Sequence, residues 1–309
     1  MNLYFAPLEG ITTHVYRSTH ARMFGGCDSY FAPFITPSDN ERISIKSLRD
    51  IIPDVNQDIN LTVQVLTNRS DSFIKFEEKI RDLGYTSVNI NLGCPSGTVV
   101  KKNRGSGFLR DVDALDTFLH QVFDDSKLEI SIKTRSGFSS GTELETLMTV
   151  YNKYPLTNLI IHPRSRADFY NGEPDIEVFA KAYNASKNKV CYNGNVFSAR
   201  DYQRIVEEFP DAEGVMLGRG AVANPALFRE IRGGEKLKTA ELVDFTKVLA
   251  ERYLPVLGSE VYTLHKLKEI WMYIMWNFPD EKKALKAVKK SSRLSDLFAA
   301  IKLLPEVNC

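Results

Sequence analysis

The sequence predicts a (β/α)₈ barrel followed by a small C-terminal helical bundle, and three observations lead there. Eight short β-rich runs recur at residues 3–6, 29–34, 61–66, 87–91, 129–133, 158–162, 189–192 and 214–217. Stretches of helical periodicity lie between most of them, including 71–83, 112–123, 144–153 and 199–209. Several runs (NLIIH, EGVML, VNINL) are almost continuously apolar, as expected of parallel strands buried on both faces. A closed barrel is preferred over an open doubly wound sheet because eight units fit the length.

After Gly218-Arg219 the strand signal stops, and Gly233-Gly234 punctuates a polar segment. Thr239 is expected to cap a helix starting at Ala240, and from there the pattern is helical. Leu264, Leu267, Trp271, Ile274 and Phe278 form one apolar stripe that reads as packing within a bundle. The expected division is a barrel over residues 1–235 and a helical domain over 236–309.

Composition sets outer limits. The chain has 309 residues, 43% hydrophobic and 26% charged, which excludes a disordered or collagenous protein. Cys27, Cys94, Cys191 and Cys309 lie far apart, with no CxxC pair and no Cys/His spacing suited to zinc, consistent with a reducing compartment. The N-terminal segment lacks the basic and apolar regions of a signal peptide, and no apolar run approaches a membrane span. A soluble, cytoplasmic, monomeric protein with no membrane partner and no metal is expected. The 40 Lys and Arg against 39 Asp and Glu leave +1, which as a whole is no nucleic-acid footprint.

Polar and special residues concentrate at the strand ends, the rim where barrels carry active sites. They are Pro7, Leu8, Glu9 and Gly10; Gln64; Asn91 with Gly93, Cys94 and Pro95; Lys133 with Arg135; His162 with Arg164; Asn193, Gly194 and Asn195; and Gly218 with Arg219. The last two groups follow the seventh and eighth strands, where barrels commonly hold a phosphate. Glycine lets backbone N–H groups approach an anion, and arginine adds a charge-assisted fork. Lys133 and His162, each expected to end its strand, would set a fixed and a titratable positive group side by side. Cys94 precedes a glycine-rich basic loop. As a protonated thiol it could act as a general acid; if Lys101, Lys102 or Arg104 approached it, the thiolate would favour nucleophilic chemistry instead.

APLEG, VQVL with Gln64, NINLGCPSGTVVKKNRGSG, SIKTRSG, IHPRSR, NGN and LGRGAVANPALF together resemble the dihydrouridine synthase family, FMN-dependent enzymes that reduce a uridine in RNA. The motifs run in family order from residue 6 to about residue 228, and the helical tail resembles the family's RNA-binding domain. The resemblance implies tightly bound FMN held by Pro7, Leu8, Glu9, Gln64, Lys133, His162, Asn193, Gly194, Asn195, Gly218 and Arg219. It implies Cys94 as proton donor and Asn91, Arg135 and Tyr170 around the target uracil. Pro163 stands where many members have Gly, and Asn195 where an acidic residue is common. The implied reductant is NADPH, with NADH second, and the implied substrate is tRNA ahead of ribosomal RNA. A flavin barrel acting on a free pyrimidine and a non-catalytic RNA-binding barrel are the rival readings.

Such chemistry needs an acid. Hydride added at C6 of uracil leaves an enolate that must be protonated at C5. It also needs a grip on structured RNA, because the base must leave its stack. Lys282, Lys286, Lys289 and Arg293 are expected on one face of a helix, either as a solvated surface or, given the barrel motifs, as a phosphate-contacting face with Lys286, Lys289 and Arg293 on the substrate. Residues 262–293 carry eight Lys and Arg against three acids, a local +5 that leaves the rest of the chain at −4.

Overall fold

Eight parallel strands pair in sequence order, and the last closes on the first. In the computed structural model, which describes residues 1–37 and 43–307, they are β1 (Asn2–Phe5), β2 (Ser29–Phe31), β3 (Leu61–Val65), β4 (Ser87–Leu92), β5 (Glu129–Gly137), β6 (Leu159–Ser165), β7 (Val190–Tyr192) and β8 (Gly214–Leu217). Cys309 lies outside the described residues. The crossovers carry α1 (His14–Met23), α2 (Ile45–Ile51), α3 (Ser70–Asp82), α4 (Gly97–Val100), α5 (Val112–Asp125), α6 (Leu144–Tyr151), α7 (Ile176–Ala185) and α8 (Ala199–Glu208). Two short helices, α9 (Arg219–Ala223) and α10 (Leu227–Ile231), follow β8. The tail consists of α11 (Thr239–Leu257), α12 (Glu260–Ile274), α13 (Lys282–Lys290) and α14 (Leu294–Ile301). No helix among the described residues is long and apolar enough to cross a membrane.

Three strands end more than one residue away from the sequence expectation. β2 stops at Phe31, short of Pro33, which has no N–H for a ladder. β5 and β6 continue past Lys133 and His162, because a register shift between Arg135 and Gly137 lets the pair run on. Lys133 and His162 therefore sit inside their strands, not at the ends, and Arg135 faces His162 across the ladder.

Alternation along the strands divides the barrel lumen into two halves. One half is apolar: Ala6, Phe31, Ile160, Cys191 and Met216 cluster there, with Tyr4 and Leu8 against them. The other half, on β3 to β5, is polar, with Gln64, Asn89, Asn91 and Ser131 all buried.

The tail is joined to the barrel through α11 and α1. Phe245 packs edge-on to Tyr16 and Phe24, with ring centroids 5.5 and 5.2 Å apart. Arg252 donates to the Thr19 and Ser18 hydroxyls, and the Thr13 and Tyr253 hydroxyls share a hydrogen bond of 2.8 Å. The stripe residues Leu264, Leu267, Trp271 and Ile274 are buried as expected, and the Trp271 indole N–H donates to Thr246 Oγ1. Two helix starts differ from expectation. The N-cap of α11 is Lys238, whose N–H is taken by the Glu241 carboxylate, while the Thr239 hydroxyl donates to the Pro305 carbonyl. Arg293 is not on the lysine-bearing helix: α13 ends at Lys290, and Asp296 accepts from the Ser292 and Arg293 N–H groups to start α14.

The β1–α1 loop, which carries Pro7 to Gly10, is braced from below. Buried Arg17 donates to Thr12 O, Asp50 Oδ2, Asp50 O and Asn56 Oδ1, and the Leu8 N–H donates to Thr12 Oγ1. Burial alone would raise the Asp50 pKa, but the Arg17 charge and hydrogen bonds from His14 and Arg17 outweigh it and hold it at about 2. A carboxylate depressed in the fold contributes stability above its unfolded pKa of about 3.9 and loses it as pH falls through the folded value. Asp50→Asn should cost about 2–3 kcal/mol at pH 7 by denaturant unfolding. The gap to the parent should shrink between pH 4 and pH 2, and a gap independent of pH would contradict the assignment.

Candidate active site

The C-terminal ends of all eight strands enclose a cavity of about 480 Å³. Of the residues singled out in the sequence, Pro7, Leu8, Glu9, Gln64, Asn91, Gly93, Cys94, Pro95, Lys133, Arg135, His162, Tyr170, Asn193, Gly194, Gly218 and Arg219 line it. Asn195 stands behind Arg219, outside the lining, and accepts from it through Oδ1 at 3.0 Å. Lys286, Lys289 and Arg293 are exposed on the tail and do not line the cavity.

The Cys94 loop is fixed by its backbone. Asn91 Oδ1 accepts both the Gly93 and Cys94 N–H groups, at 3.0 and 2.9 Å. Asn91 Nδ2 donates to Gln64 Oε1, Gln64 Nε2 to Asn89 Oδ1, and Asn89 Nδ2 to Ser131 Oγ, all at 2.7–2.8 Å. This line of amides is why the polar half of the lumen tolerates burial: each group satisfies the next. From the other side, the Ser106 N–H and hydroxyl both donate to the Cys94 carbonyl. Gly105 makes that approach possible. Its φ of +55° suits glycine, and a Cβ there would meet the Cys94 carbonyl at 2.8 Å.

Arg135 is the third brace. Its guanidinium donates to the Gly93, Ser165 and Phe169 carbonyls and lies 5.2 Å from the Tyr170 ring centroid. It thus ties the Cys94 loop to the loop after β6. Asn91 commits its carbonyl and one amide hydrogen to the protein, leaving one hydrogen for a ligand.

The electrostatics decide the state of the thiol. Burial pushes the Cys94 pKa up; the Ser96 N–H opposes this, Glu9 adds to it, and Arg135 and Lys133 lower it, with a net rise. Cys94 is therefore a protonated thiol, suited to giving a proton rather than attacking.

Lys133 is brought down to about 8, by burial first and by the Arg135 charge second, and it makes no hydrogen bond to any described residue. His162 is held well below its ordinary value by burial and then by Arg135, Lys133, Arg164 and Arg219, so it is neutral. Arg164 Nη1 lies 3.0 Å from His162 Nε2. A guanidinium only donates, so Nε2 is the acceptor and the proton sits on Nδ1, available to a ligand. The side-by-side cations expected at Lys133 and His162 are thus one ammonium and one neutral donor.

Sequence reasoning missed Ala6, Ile11, Pro33, Phe34, Tyr273 and Trp276, which also line the cavity. Pro33 could have been noticed as a strand stop. Tyr273 and Trp276 come from the tail, where they fall off the apolar stripe that drew attention to Trp271.

The profile described as Dihydrouridine synthase (Dus) matches residues 4–303. The chain is 28% identical to tRNA-dihydrouridine synthase B of Pseudomonas aeruginosa, over 81% of this chain and 75% of that protein. It is 26% identical to the tRNA-dihydrouridine(16) synthase of Pseudomonas putida, over 91% of this chain and 90% of that protein. Among solved structures, morphinone reductase in complex with tetrahydroNAD superposes with a TM-score of 0.54 at 12% identity, covering 76% of this chain and 88% of that one, a likeness of fold.

The thiol assignment has a direct readout. Alkylation of Cys94 by iodoacetamide, followed by peptide mass spectrometry, should still be accelerating with pH at about 8.5, where an ordinary thiol is half ionised. A plateau below pH 7 would mean a thiolate and would overturn the general-acid assignment.

Proposed function

This chain belongs to the dihydrouridine synthase family, and from that premise we propose that it reduces the C5=C6 bond of a uridine in tRNA to 5,6-dihydrouridine, with FMN as resident cofactor and NADPH, ahead of NADH, as reductant. The observation that carries the reading is a protonated thiol on a braced loop at a cavity with a cationic wall.

The residues present suit a flavin mononucleotide. The cavity volume of about 480 Å³ falls within the ordinary range for cofactor sites, about 300–1,000 Å³. Lys133 has an ammonium without a hydrogen bond to any described residue, and His162 offers Nδ1–H. Pro7, Leu8, Glu9, Gln64, Lys133 and His162 would hold the ring system, and Asn193, Gly194, Gly218 and Arg219 the phosphate end, with Asn195 setting Arg219. When bound, FMN supplies the hydride that goes to C6 of uracil.

The chain's own residues do the rest. Cys94 Sγ gives its proton to C5 of the uracil enolate and leaves a thiolate, which Arg135 and Lys133 stabilise electrostatically before solvent reprotonates it. Asn91 and Arg135 keep that sulfur in place, and the remaining Asn91 amide hydrogen is free for a uracil carbonyl. Tyr170, held between Arg135 and Arg219, walls the same pocket. The exposed lysines of α13, Lys286 and Lys289 among them, contact phosphates away from the cavity, and Arg293 does so from the start of α14.

The likeness to the P. putida tRNA-dihydrouridine(16) synthase spans enough of both chains to include the tail. Position 16 is therefore the first target we expect.

Three outcomes test the reading. Cys94→Ala should retain FMN and its reduction by NADPH while dihydrouridine formation falls by about 10²–10⁴-fold; unchanged turnover would remove Cys94 from the reaction. Mapping dihydrouridine in RNA from a strain lacking the gene should show loss in tRNA, first at position 16. Loss confined to ribosomal RNA, or equal turnover of free uridine and unmodified tRNA by the pure enzyme, would refute the proposal. Lys286→Glu with Lys289→Glu should weaken tRNA binding and flatten its salt dependence by about one to two phosphates' worth of slope, with FMN content unchanged. An unaltered slope would make that face a solvated surface.

A further inference from the structure

Neither the proton donor nor the cofactor residues account for the two aromatic side chains that the tail places at the cavity mouth. Trp276 is 48% exposed, whereas the protein's other tryptophan, Trp271, is buried and hydrogen-bonded. The Trp276 ring lies 5.3 Å from Tyr273 and 5.8 Å from Phe197, the latter an exposed residue on the loop after β7.

The support behind it is rigid. Trp276 sits in a short 3₁₀ turn between buried Met275 and Phe278. The neighbouring Asn277 amide donates to the Ala223 and Ile274 carbonyls at 2.7 and 2.9 Å, pinning the turn to α9. An indole held in this way with one side open is pre-organised for stacking, because little rotamer freedom remains to lose on contact.

The surroundings identify the chemistry of the occupant. From the mouth, a groove runs between the β1–α1 loop and α12, and both Trp276 and Tyr273 line the cavity and the groove. On the cavity side stands Arg219, 4.7 Å from the Tyr170 ring centroid and 5.9 Å from that of Phe197. In the groove stands Lys266, bound to the Gly10 carbonyl and Glu269, with Glu9 and Glu269 as the acids nearby. Aromatic faces beside a guanidinium and an ammonium suit flat bases joined by phosphates, as in single-stranded nucleic acid.

We propose that Trp276, backed by Tyr273 and Phe197, is a stacking shelf for the nucleobase next to the uridine that enters the cavity. This rests on the RNA-modifying reading above. A uridine drawn out of its stack leaves a neighbour with one face uncovered, and the shelf covers that face while the cavity holds the uracil. Trp276 is thus a positioning residue, acting on the RNA and not on the reacting atoms.

The test uses the FMN-loaded full chain. Trp276→Leu should lower kcat/KM for unmodified tRNA roughly ten- to a hundred-fold, mainly through KM, and Trp276→Phe should restore most of it. The rate of flavin reduction by NADPH and the melting temperature should match the parent. Trp emission should be quenched when a uridine-containing single-stranded oligonucleotide is titrated into the parent, and the Leu variant, which keeps only buried Trp271, should lose that response. Unchanged tRNA kinetics with no quenching would overturn the shelf. Slowed flavin reduction with tRNA kinetics unchanged would assign the surface to the dinucleotide, and a changed sedimentation coefficient would assign it to a second copy; either also overturns it. A parent protein that produces no dihydrouridine but whose Trp276 is quenched by the oligonucleotide would refute the function and leave the shelf standing.

Discussion

The site depends on how polar side chains are buried inside a closed barrel. Inward positions on β3, β4 and β5 carry Gln64, Asn89, Asn91 and Ser131, and no water-filled channel is needed to satisfy them because each bonds to the next. An unpaired buried amide would cost about 1–3 kcal/mol, so the line is held in one arrangement. Its last acceptor, Asn91 Oδ1, has only backbone N–H groups left to take, and those belong to Gly93 and Cys94. The position of the thiol is therefore set from inside the barrel core. This gives a rim loop the rigidity of a strand, which proton transfer over a hydrogen-bond distance requires.

Charge is the second constraint. Lys133, Arg135, Arg164 and Arg219 all act on His162, and Glu9, Asp168 and Glu173 are the acids that act on the neighbouring groups Cys94, Arg135 and Arg164. Some of the cations have their donors satisfied locally by neutral oxygens: Arg135 binds three carbonyls, while Arg164 donates to the Gly172 carbonyl and to Asn195. Those of Lys133 are not, and its depressed pKa records that burial and a neighbouring guanidinium disfavour its charge. An anion brought into the cavity would relieve that cost. The same crowding makes His162 a neutral donor rather than a second cation, so the wall combines one adjustable charge with one fixed dipole.

Much of this was legible in the sequence because the barrel rule converts strand ends into a site. Apolar runs located all eight strands, and reading along their ends gathered fifteen of the cavity's residues without coordinates. What was missed depended partly on pairing between segments far apart in sequence and partly on local signals weaker than the dominant pattern. The extension of β5 and β6 follows from a register shift that neither strand encodes alone. Likewise, Asn91 and Arg135, which line the cavity, also brace the Cys94 loop through contacts across 27 to 42 positions that neither segment encodes alone. Arg293 left the lysine face because Asp296 starts a new helix, a local capping signal that periodicity overlooked. Trp276 was masked by Trp271, five positions earlier, whose place on the apolar stripe was the stronger pattern.

The tail is best understood as part of the site rather than an appended module. Its first helix is fastened to α1 by aromatic packing and by Arg252 and Tyr253, and α1 in turn anchors through Arg17 the loop that carries Pro7 to Gly10. The turn after α12 is pinned to α9, whose first residue is Arg219. Both attachments end on elements that line the cavity, and Lys268 of α12 donates to the Ser291 carbonyl just past α13, so the basic helix is joined to the same framework. On the function proposed above, the excess positive charge of the tail would attract phosphates, and its attachment to the elements that line the cavity would turn that non-specific attraction into a choice of which nucleotide reaches the thiol.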